Sequence, residues 1–418
     1  MKVFSEQFQT RDSVKPLSAK ENAIWNSAGC FFYLGCQWLT TVLVVVLSSN
    51  YENSGVLAIA MSVGLIFTCL ATCNLRTYQV SDVNGTYRDG NYIAFRLLTI
   101  SVGGLVSIAY CLVLYPDFIL LMTCAVFLLF KADESFSDVI YGVYQKNMRM
   151  DYIGKSQLIR GFVSLASFTA GLMFSDSLLI SVIAMACSCF LVTLFFDLPH
   201  RRLFSNDSPS LNRSVVAGLI KVSLPLAIAG TLSAGVTSVV RQYYGISAGT
   251  ELLGIYAAIA TPAVLVQAAV SYLYGPWITS LAQANISSNE AFLKLFWKIL
   301  IMLLVAMLGL VVLMSVFGLK LLPALYQGID DYVFIFPFVL IATASVGLLS
   351  YVYNALVIKR SFVMLVFINV VAFAVSICSV PITVGLFDMN GINVAIIAGT
   401  VLASAIGIVR ISSMPGSS

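Results

Sequence analysis

The sequence has very little charge for its length, and this shortage excludes most soluble folds. Only 10% of its 418 residues are charged, whereas 59% are hydrophobic. A soluble domain carries roughly 25% charged residues, which it needs to cover its surface. The solvent for most of this surface is therefore lipid. Because lipid offers no hydrogen-bond partners to the backbone, the chain must cross it as helices or as a closed barrel.

Signals of catalysis are also missing. The single histidine, His200, lies in a basic loop beside Arg201 and Arg202. The sequence has no zinc-ligand spacing, no glycine-rich phosphate loop and no Asp-x-Asp metal motif. All nine cysteines lie within apolar runs, as is typical of small buried residues rather than of disulfides. We therefore expect a protein that is not an enzyme, has no metal or other cofactor, and binds no nucleic acid.

Long apolar runs dominate the sequence, and their lengths are those of membrane-spanning helices. A hydrocarbon core of ~30 Å needs ~20 helical residues. On this measure we predict an all-α polytopic membrane protein with about 12 transmembrane helices. The first apolar run is expected to act as an uncleaved signal-anchor. The predicted spans are 24–47, 54–74, 96–115, 118–140, 157–174, 178–197, 217–243, 252–282, 293–317, 333–357, 362–386 and 391–410.

Basic residues indicate the side of the membrane that each loop faces. With the N-terminus in the cytoplasm, nearly all Lys and Arg residues, including Arg96 and Arg160, are assigned to cytoplasmic segments, and the outer loops hold only Lys320. This is the pattern of the positive-inside rule. It predicts a multi-pass membrane protein with cytoplasmic N- and C-termini.

A polar stretch near the middle of the chain divides the spans into two groups of six. Because six is even, both groups enter the membrane from the same side, as in transporters with two parallel lobes. The predicted parts are a cytoplasmic N-terminal segment (1–23), an N-lobe (24–197), a cytoplasmic linker (198–214), a C-lobe (215–411) and a short cytoplasmic tail (412–418).

The fourth predicted span carries charges that a lipid-facing helix would not tolerate. Lys131, Glu134 and Asp138 are spaced i,i+3 and i,i+4, which places them on one stripe of a helix. A charge at membrane depth costs a few kcal/mol or more, so it normally faces protein or a hydrated cavity. Two interpretations remain open. The stripe lines a cavity for a substrate headgroup or a coupling ion, or it is a structural ion pair near the cytoplasmic mouth.

Arg241, in the seventh predicted span, also has two interpretations. Near the outer boundary its long side chain could extend to water. In a cavity its guanidinium would suit a phosphate-bearing ligand. Pro225 in the same span and Pro262 in the next are predicted kink points, because proline removes a backbone donor.

Four stretches of the sequence carry a resemblance to a known family. They are LRTYQVSDVNGTYRDGNYIAFR (75–96), KADESFSDVIYGVYQKNMRMDYIGKSQLIRG (131–161), LPLAIAGTLSAGVTSVVRQYYGISAGTELLGIYAAIATP (224–262) and YNALVIKR (353–360). They resemble the Wzx-like polysaccharide or O-antigen flippases, within the superfamily of multidrug, oligosaccharidyl-lipid and polysaccharide exporters. The resemblance implies a V-shaped pair of six-helix lobes around a cavity. It also implies substrate-binding or cavity-lining roles for Lys131, Glu134, Asp138, Gln145, Arg241, Arg76 and Asp82.

The implied activity is to move polyprenyl-pyrophosphate-linked oligosaccharide units from the inner to the outer leaflet by alternating access. The implied driving ion is H⁺ or Na⁺. The implied partners are the lipid-linked oligosaccharide, membrane lipids, and a polysaccharide polymerase with chain-length regulators. A drug or metabolite cation antiporter of the same superfamily is the nearest alternative. A membrane glycosyltransferase or polysaccharide polymerase is a further alternative, and it would need a large outer loop with catalytic acids. The longest outer loop predicted here, around 318–332, is short.

Overall fold

The computed structural model describes residues 15–73, 75–82, 86–274 and 277–414. Almost all of these residues are helical, which confirms the predicted all-α polytopic fold class. Within the described part of the chain, nine helical stretches are long and apolar enough to cross a membrane. Parts of the predicted N-terminal segment (1–23) and of the predicted tail (412–418) lie outside the described residues.

Among the described residues, eight helices lie in the first half of the chain and eight more in the second half. The first eight are α1 (Ala19–Leu47), α2 (Glu52–Thr72), α3 (Leu75–Ser81), α4 (Asp89–Leu114), α5 (Phe118–Lys146), α6 (Met150–Ser175), α7 (Leu178–Val192) and α8 (Leu198–Arg201), with a π-helical segment (Thr193–Asp197) between the last two. The others are α9 (Arg213–Ala248), α10 (Thr250–Ala260), α11 (Val264–Tyr274), α12 (Trp277–Ser287), α13 (Asn289–Leu325), α14 (Phe336–Ile358), α15 (Phe362–Phe387) and α16 (Gly391–Ser413).

Helical segments occur at each of the predicted spans, but two of the spans differ from the simple expectation. The fourth (118–140) lies within α5, which continues to Lys146. Helix α5 is absent from the nine apolar stretches because its second half is charged. The eighth is divided by a 3₁₀ turn at Thr261–Ala263. Pro262 lies in this turn and supplies no backbone donor there. Pro225, in contrast, lies inside α9, which continues past it.

The described residues form two compact units. The first unit consists of the described residues up to Ser49 together with Val63–Ala227, and the second consists of Asn50–Ser62 and the residues from Ile228 onward. Helices α2 and α9 therefore contribute residues to both units. In the sequence prediction, the linker at 198–214 separates the two lobes instead. Those lobe limits stay a prediction.

Helix α5 lies at the centre of the first unit. It packs against α3, α4, α6 and α7, while α1 packs along α6. The start of α5 is capped by Asp117, whose carboxylate accepts a hydrogen bond from the backbone amide of Leu120. Since other helices surround α5 on several sides, its charged side chains can meet protein groups instead of lipid.

The approach of α1 to α6 requires glycine at the crossing. A Cβ atom on Gly154 would lie 2.3 Å from the carbonyl oxygen of Trp25, and one on Gly29 would lie 2.5 Å from the Cα of Gly154. The side chain of Asn22 also ties the two helix starts together. It donates to the carbonyl of Met148 at 2.9 Å and accepts from the amide of Met150 at 2.7 Å. These contacts hold α1 against the side of the first unit that contains the candidate site.

Candidate functional site: a polar cavity in the first unit

A small polar cavity lies inside the first unit. Its volume is about 150 Å³, which is large enough for several water molecules. Side chains from α1, α3, α5 and α6 line it: Tyr33, Arg76, Glu134, Ser137, Asp138, Tyr141, Gln157 and Arg160. Two arginines, two carboxylates and four neutral polar groups thus share one space among helices of an apolar bundle.

Asp138 is held between two arginines at one side of this cavity. Its carboxylate lies 3.0 Å from Nη2 of Arg96 and 3.3 Å from Nη1 of Arg76. The side chain of Arg96 is fully buried, whereas that of Arg76 is 25% exposed. Arg76 also donates from Nε to Oε1 of Gln145 at 3.1 Å. One carboxylate therefore ties α3, α4 and α5 together, and one of its two cations is accessible.

Glu134 and Lys131 form a second pair beside Asp138. Nζ of Lys131 lies 2.5 Å from Oε2 of Glu134. The hydroxyl of Tyr33, on α1, donates to the other oxygen of this carboxylate. Lys131 also lies 4.9 Å from the centre of the Phe130 ring. Glu134 and Asp138 both line the cavity, while Lys131 lies next to it as the partner of Glu134.

A buried network around Arg160 lies behind these residues. Its guanidinium contacts Asp133 at 2.7 Å and Asp197 at 3.0 Å, and it also donates to Ser137 and Thr193. Arg160 and Asp197 are almost completely buried. Charges in such a place persist only when they are paired and hydrogen-bonded. The network joins α5, α6 and the π-helical segment.

Arg96 and Arg160, which were assigned to cytoplasmic segments, lie inside helices. Arg96 lies about two turns into α4, and Arg160 about three turns into α6. Both are buried against carboxylates of α5. Both helices begin about seven residues before the predicted spans, because each span was measured from the first long apolar run. The sequence did hold a signal that these arginines pair with acids. Four acids lie near the ends of two predicted spans, and acids that are buried there need cationic partners.

Asp82 has a different position from the other predicted site residues. It does not line the polar cavity, and its carboxylate accepts hydrogen bonds from the amides of Thr86 and Tyr87 and from the hydroxyl of Tyr92 at 2.8–2.9 Å. Burial alone would raise the pKa of Asp82, but these hydrogen bonds hold it below its ordinary value. Asp82 therefore braces the loop that precedes α4.

Arg241 belongs to the second unit. Its guanidinium lies over the ring of Tyr256, 5.7 Å from the ring centre. The Tyr256 hydroxyl in turn donates to Oδ1 of Asn393 at 2.8 Å. Among the described residues, no carboxylate forms an ion pair with Arg241. Its charge lies against the face of an aromatic ring, a favourable cation–π arrangement.

Comparison with known sequences gives one weak but informative relation. No family model matches the chain. The chain is 24% identical over 227 residues to the capsular polysaccharide biosynthesis protein CapF of Staphylococcus aureus. The match covers 54% of this chain and 56% of that protein, so it spans little more than half of either.

Comparison with solved structures gives a close relation in fold. The inward-facing conformation of a multidrug resistance MATE family transporter of the MOP superfamily aligns with a TM-score of 0.71 at 11% identity, over 90% of this chain and 94% of that one. An outward-facing MATE transporter aligns at 0.57 and 14% identity, over 93% and 94%. A MATE in the bent conformation aligns at 0.56 and 14%, over 94% and 96%. The chain therefore has the two-lobed helical fold of the MATE transporters.

Proposed function

We propose that this protein is a flippase for oligosaccharide units linked to polyprenyl pyrophosphate. It would carry them from the inner to the outer leaflet of a prokaryotic plasma membrane, for the synthesis of a surface polysaccharide. The fold supports a membrane transporter, and the partial relation to a capsular polysaccharide biosynthesis protein supports the class of substrate. A coupling ion, H⁺ or Na⁺, and a polysaccharide polymerase with chain-length regulators belong to the same proposal.

The observation that carries the proposal is the polar cavity within an apolar helical unit. A pyrophosphate and a hydroxyl-rich glycan cannot enter hydrocarbon without compensating polar contacts. Tyr33, Ser137 and Gln157 line the cavity and can exchange hydrogen bonds with hydroxyl groups. A transporter for a purely apolar solute would have no use for such a lining.

Arg76 is the cation best placed to bind phosphate in this cavity. It shares Asp138 with Arg96, so Asp138 would keep a partner if Arg76 turned to another anion. Arg96 is fully buried and also donates to the carbonyl of Ala71 at 2.9 Å, which fixes its position. The planar guanidinium of Arg76 can bind phosphate with two parallel hydrogen bonds. We propose that Arg76 gives up its contact with Asp138 and binds the phosphate instead.

A drug or metabolite cation antiporter is the second candidate. The observation that favours it is the pair of carboxylates, Glu134 and Asp138, on the cavity lining. A cationic solute would bind to these acids and would have no need of Arg76. The flippase function therefore depends on the cation Arg76, whereas the antiporter function depends on the carboxylates of the same cavity.

Transport by the purified protein in lipid vesicles separates the two functions. We expect a fluorescent polyprenyl-pyrophosphate oligosaccharide to move between leaflets, and Arg76→Ala to slow this movement by about tenfold or more, the value of one charge-assisted hydrogen bond. Arg76→Lys should recover part of the rate. Arg213→Ala removes an exposed arginine outside the cavity and is the matched control.

Two results would overturn the proposal. In the first, Arg76→Ala leaves the movement of the lipid-linked oligosaccharide unchanged, while Glu134→Gln abolishes the export of an organic cation. In the second, the purified protein transfers sugar without any other enzyme, which would make it a glycosyltransferase or polymerase.

A further inference from the structure

An apolar groove lies on the first unit apart from the polar cavity. Its volume is about 600 Å³. Helix α5 forms the middle of it, and α4 and α7 pack against α5 to form its sides. Leu97 lines the groove from α4, Leu129 from α5, and Ile183 and Phe190 from α7. None of these residues lines the polar cavity to which the pyrophosphate and the glycan are assigned.

The groove opens to the outside of the protein. Leu129 is 68% exposed and Phe190 is 56% exposed. Contact between water and such an apolar surface is unfavourable, so we expect hydrocarbon rather than water to occupy the groove. One water molecule occupies ~30 Å³ in the liquid. The groove therefore has room for about twenty groups of that size, such as the methylene groups of a hydrocarbon chain. That is the scale of a single acyl chain.

A row of residues leads from the groove to a basic loop. Phe190, Leu194 and Leu198 line the groove at intervals of four residues, and Arg202 is the next position in the row. Arg202 is the residue that directly follows α8, four positions after Leu198. Arg202 is exposed. A cation therefore lies about one helical turn beyond the end of the groove.

The charges near this end favour an anionic group. Arg201 adjoins Arg202 and donates from Nη2 to the backbone carbonyl of Asp207 at 3.0 Å. Asp133 lines the groove at a deeper level, but its carboxylate is neutralised by Arg160 at 2.7 Å. This loop holds one acid, Asp207, against the two arginines, so its charge balance is positive. Arginines at such a boundary attract anionic lipid headgroups.

We propose that this groove binds one acyl chain of an anionic phospholipid, with the lipid phosphate at Arg202. The lipid comes from the leaflet on the side of residues 198–214, which the distribution of basic residues predicts to be cytoplasmic. An apolar groove with a cation beyond its end favours a phospholipid over a partner helix, which would bring no phosphate. The proposal concerns a lipid that stays bound, and it does not depend on the flippase activity.

Two cysteines allow the occupant to be followed directly. Cys187 lines the groove and is exposed, and Cys378 is the other exposed cysteine, on α15 in the second unit. Purified protein in detergent micelles would be treated with N-ethylmaleimide, and alkylation at each cysteine would be measured by peptide mass spectrometry. We expect added phosphatidylglycerol to slow alkylation of Cys187 and not of Cys378. Phosphatidylcholine should protect Cys187 much more weakly.

The headgroup contact is tested by Arg202→Ala. The concentration of phosphatidylglycerol that protects half of Cys187 should rise about fivefold, the factor that one arginine contributes near an anionic surface. Lys298→Ala removes an exposed cation from α13 in the second unit and should leave protection unchanged. Circular dichroism establishes that both variants are folded.

Three outcomes would overturn the proposal. Equal protection by phosphatidylglycerol and phosphatidylcholine would indicate non-selective contact with bulk lipid. Protection by a polyprenyl phosphate but not by phosphatidylglycerol would assign the groove to a prenyl chain. An Arg202→Ala variant with wild-type protection would remove the headgroup site.

Discussion

The two units of this protein hold their polar groups in different ways. Among the described residues, every ion pair lies in the first unit. Charged groups of the second unit instead contact neutral partners, as Lys359 does with Asn289, and neutral pairs such as Ser345 with Thr400 at 2.7 Å and Tyr256 with Asn393 join its helices. Its helices also approach closely at small residues. A Cβ on Gly399, for example, would lie 2.5 Å from the carbonyl oxygen of Ala372.

We interpret this difference as a sign that the charges of the first unit are retained for a purpose other than stability. A buried ion pair costs several kcal/mol per ion in desolvation, and apolar replacements of similar volume are often as stable or more so. The second unit shows that helices of this chain pack without buried charge pairs. The network around Arg160 and Asp138 is therefore best explained by the polar cavity that it surrounds. The following predictions test this comparison.

The largest effect is expected from breaking the network of the first unit. Arg160→Met leaves Asp133 and Asp197 buried without a cation, which should lower the free energy of unfolding by about 3–5 kcal/mol. Thermal unfolding in detergent measures the loss. Arg241→Met, in the second unit, removes an arginine that has no acidic partner among the described residues and should cost much less.

A triple variant then separates stability from function. Arg160→Met combined with Asp133→Leu and Asp197→Leu should recover most of the lost stability, because no unpaired charge remains. Transport should stay impaired. If the triple variant transports at the wild-type rate, the network has only a structural role. The difference between the units would then not reflect function.

A smaller effect is expected from the neutral contact in the second unit. Ser345→Ala alone should lower the free energy of unfolding by about 1 kcal/mol, because a buried hydroxyl of Thr400 loses a partner. Replacing both residues, with Ser345→Ala and Thr400→Val, should be nearly neutral. Chemical denaturation of the single and double variants measures the coupling. A loss as large as that of Arg160→Met would contradict the proposed difference between the units.

The smallest effect is a pH dependence from Asp82. Because its folded pKa is below the ordinary value of about 3.9, the stability that it contributes is complete above that pH. It is lost as the pH falls toward the folded pKa. Asp82→Asn should therefore lower the Tm at pH 6, and the difference from wild type should shrink below about pH 4. A difference that stays constant with pH would show that the loop depends on shape rather than on the charge.

Part of the candidate site could be predicted from the spacing of residues along one helix. Lys131, Glu134 and Asp138 are close in sequence, so helical geometry brings them together regardless of the rest of the fold. The role of Arg96 could not be predicted in this way, because it reaches Asp138 from another helix. The same holds for Arg160, which meets Asp133 and Asp197 from positions 27 and 37 residues away.

The sequence by itself determined that the chain is helical, that its helices have the length of membrane spans, and that α5 needs protein around its charges. These properties are local, because hydropathy and backbone hydrogen bonding within a helix depend on neighbours along the chain. Only the tertiary structure decided which cations meet which carboxylates and where a cavity and a groove are left between helices. Electrostatic pairing and packing depend on distances through space, and those distances exist only once the helices have assembled.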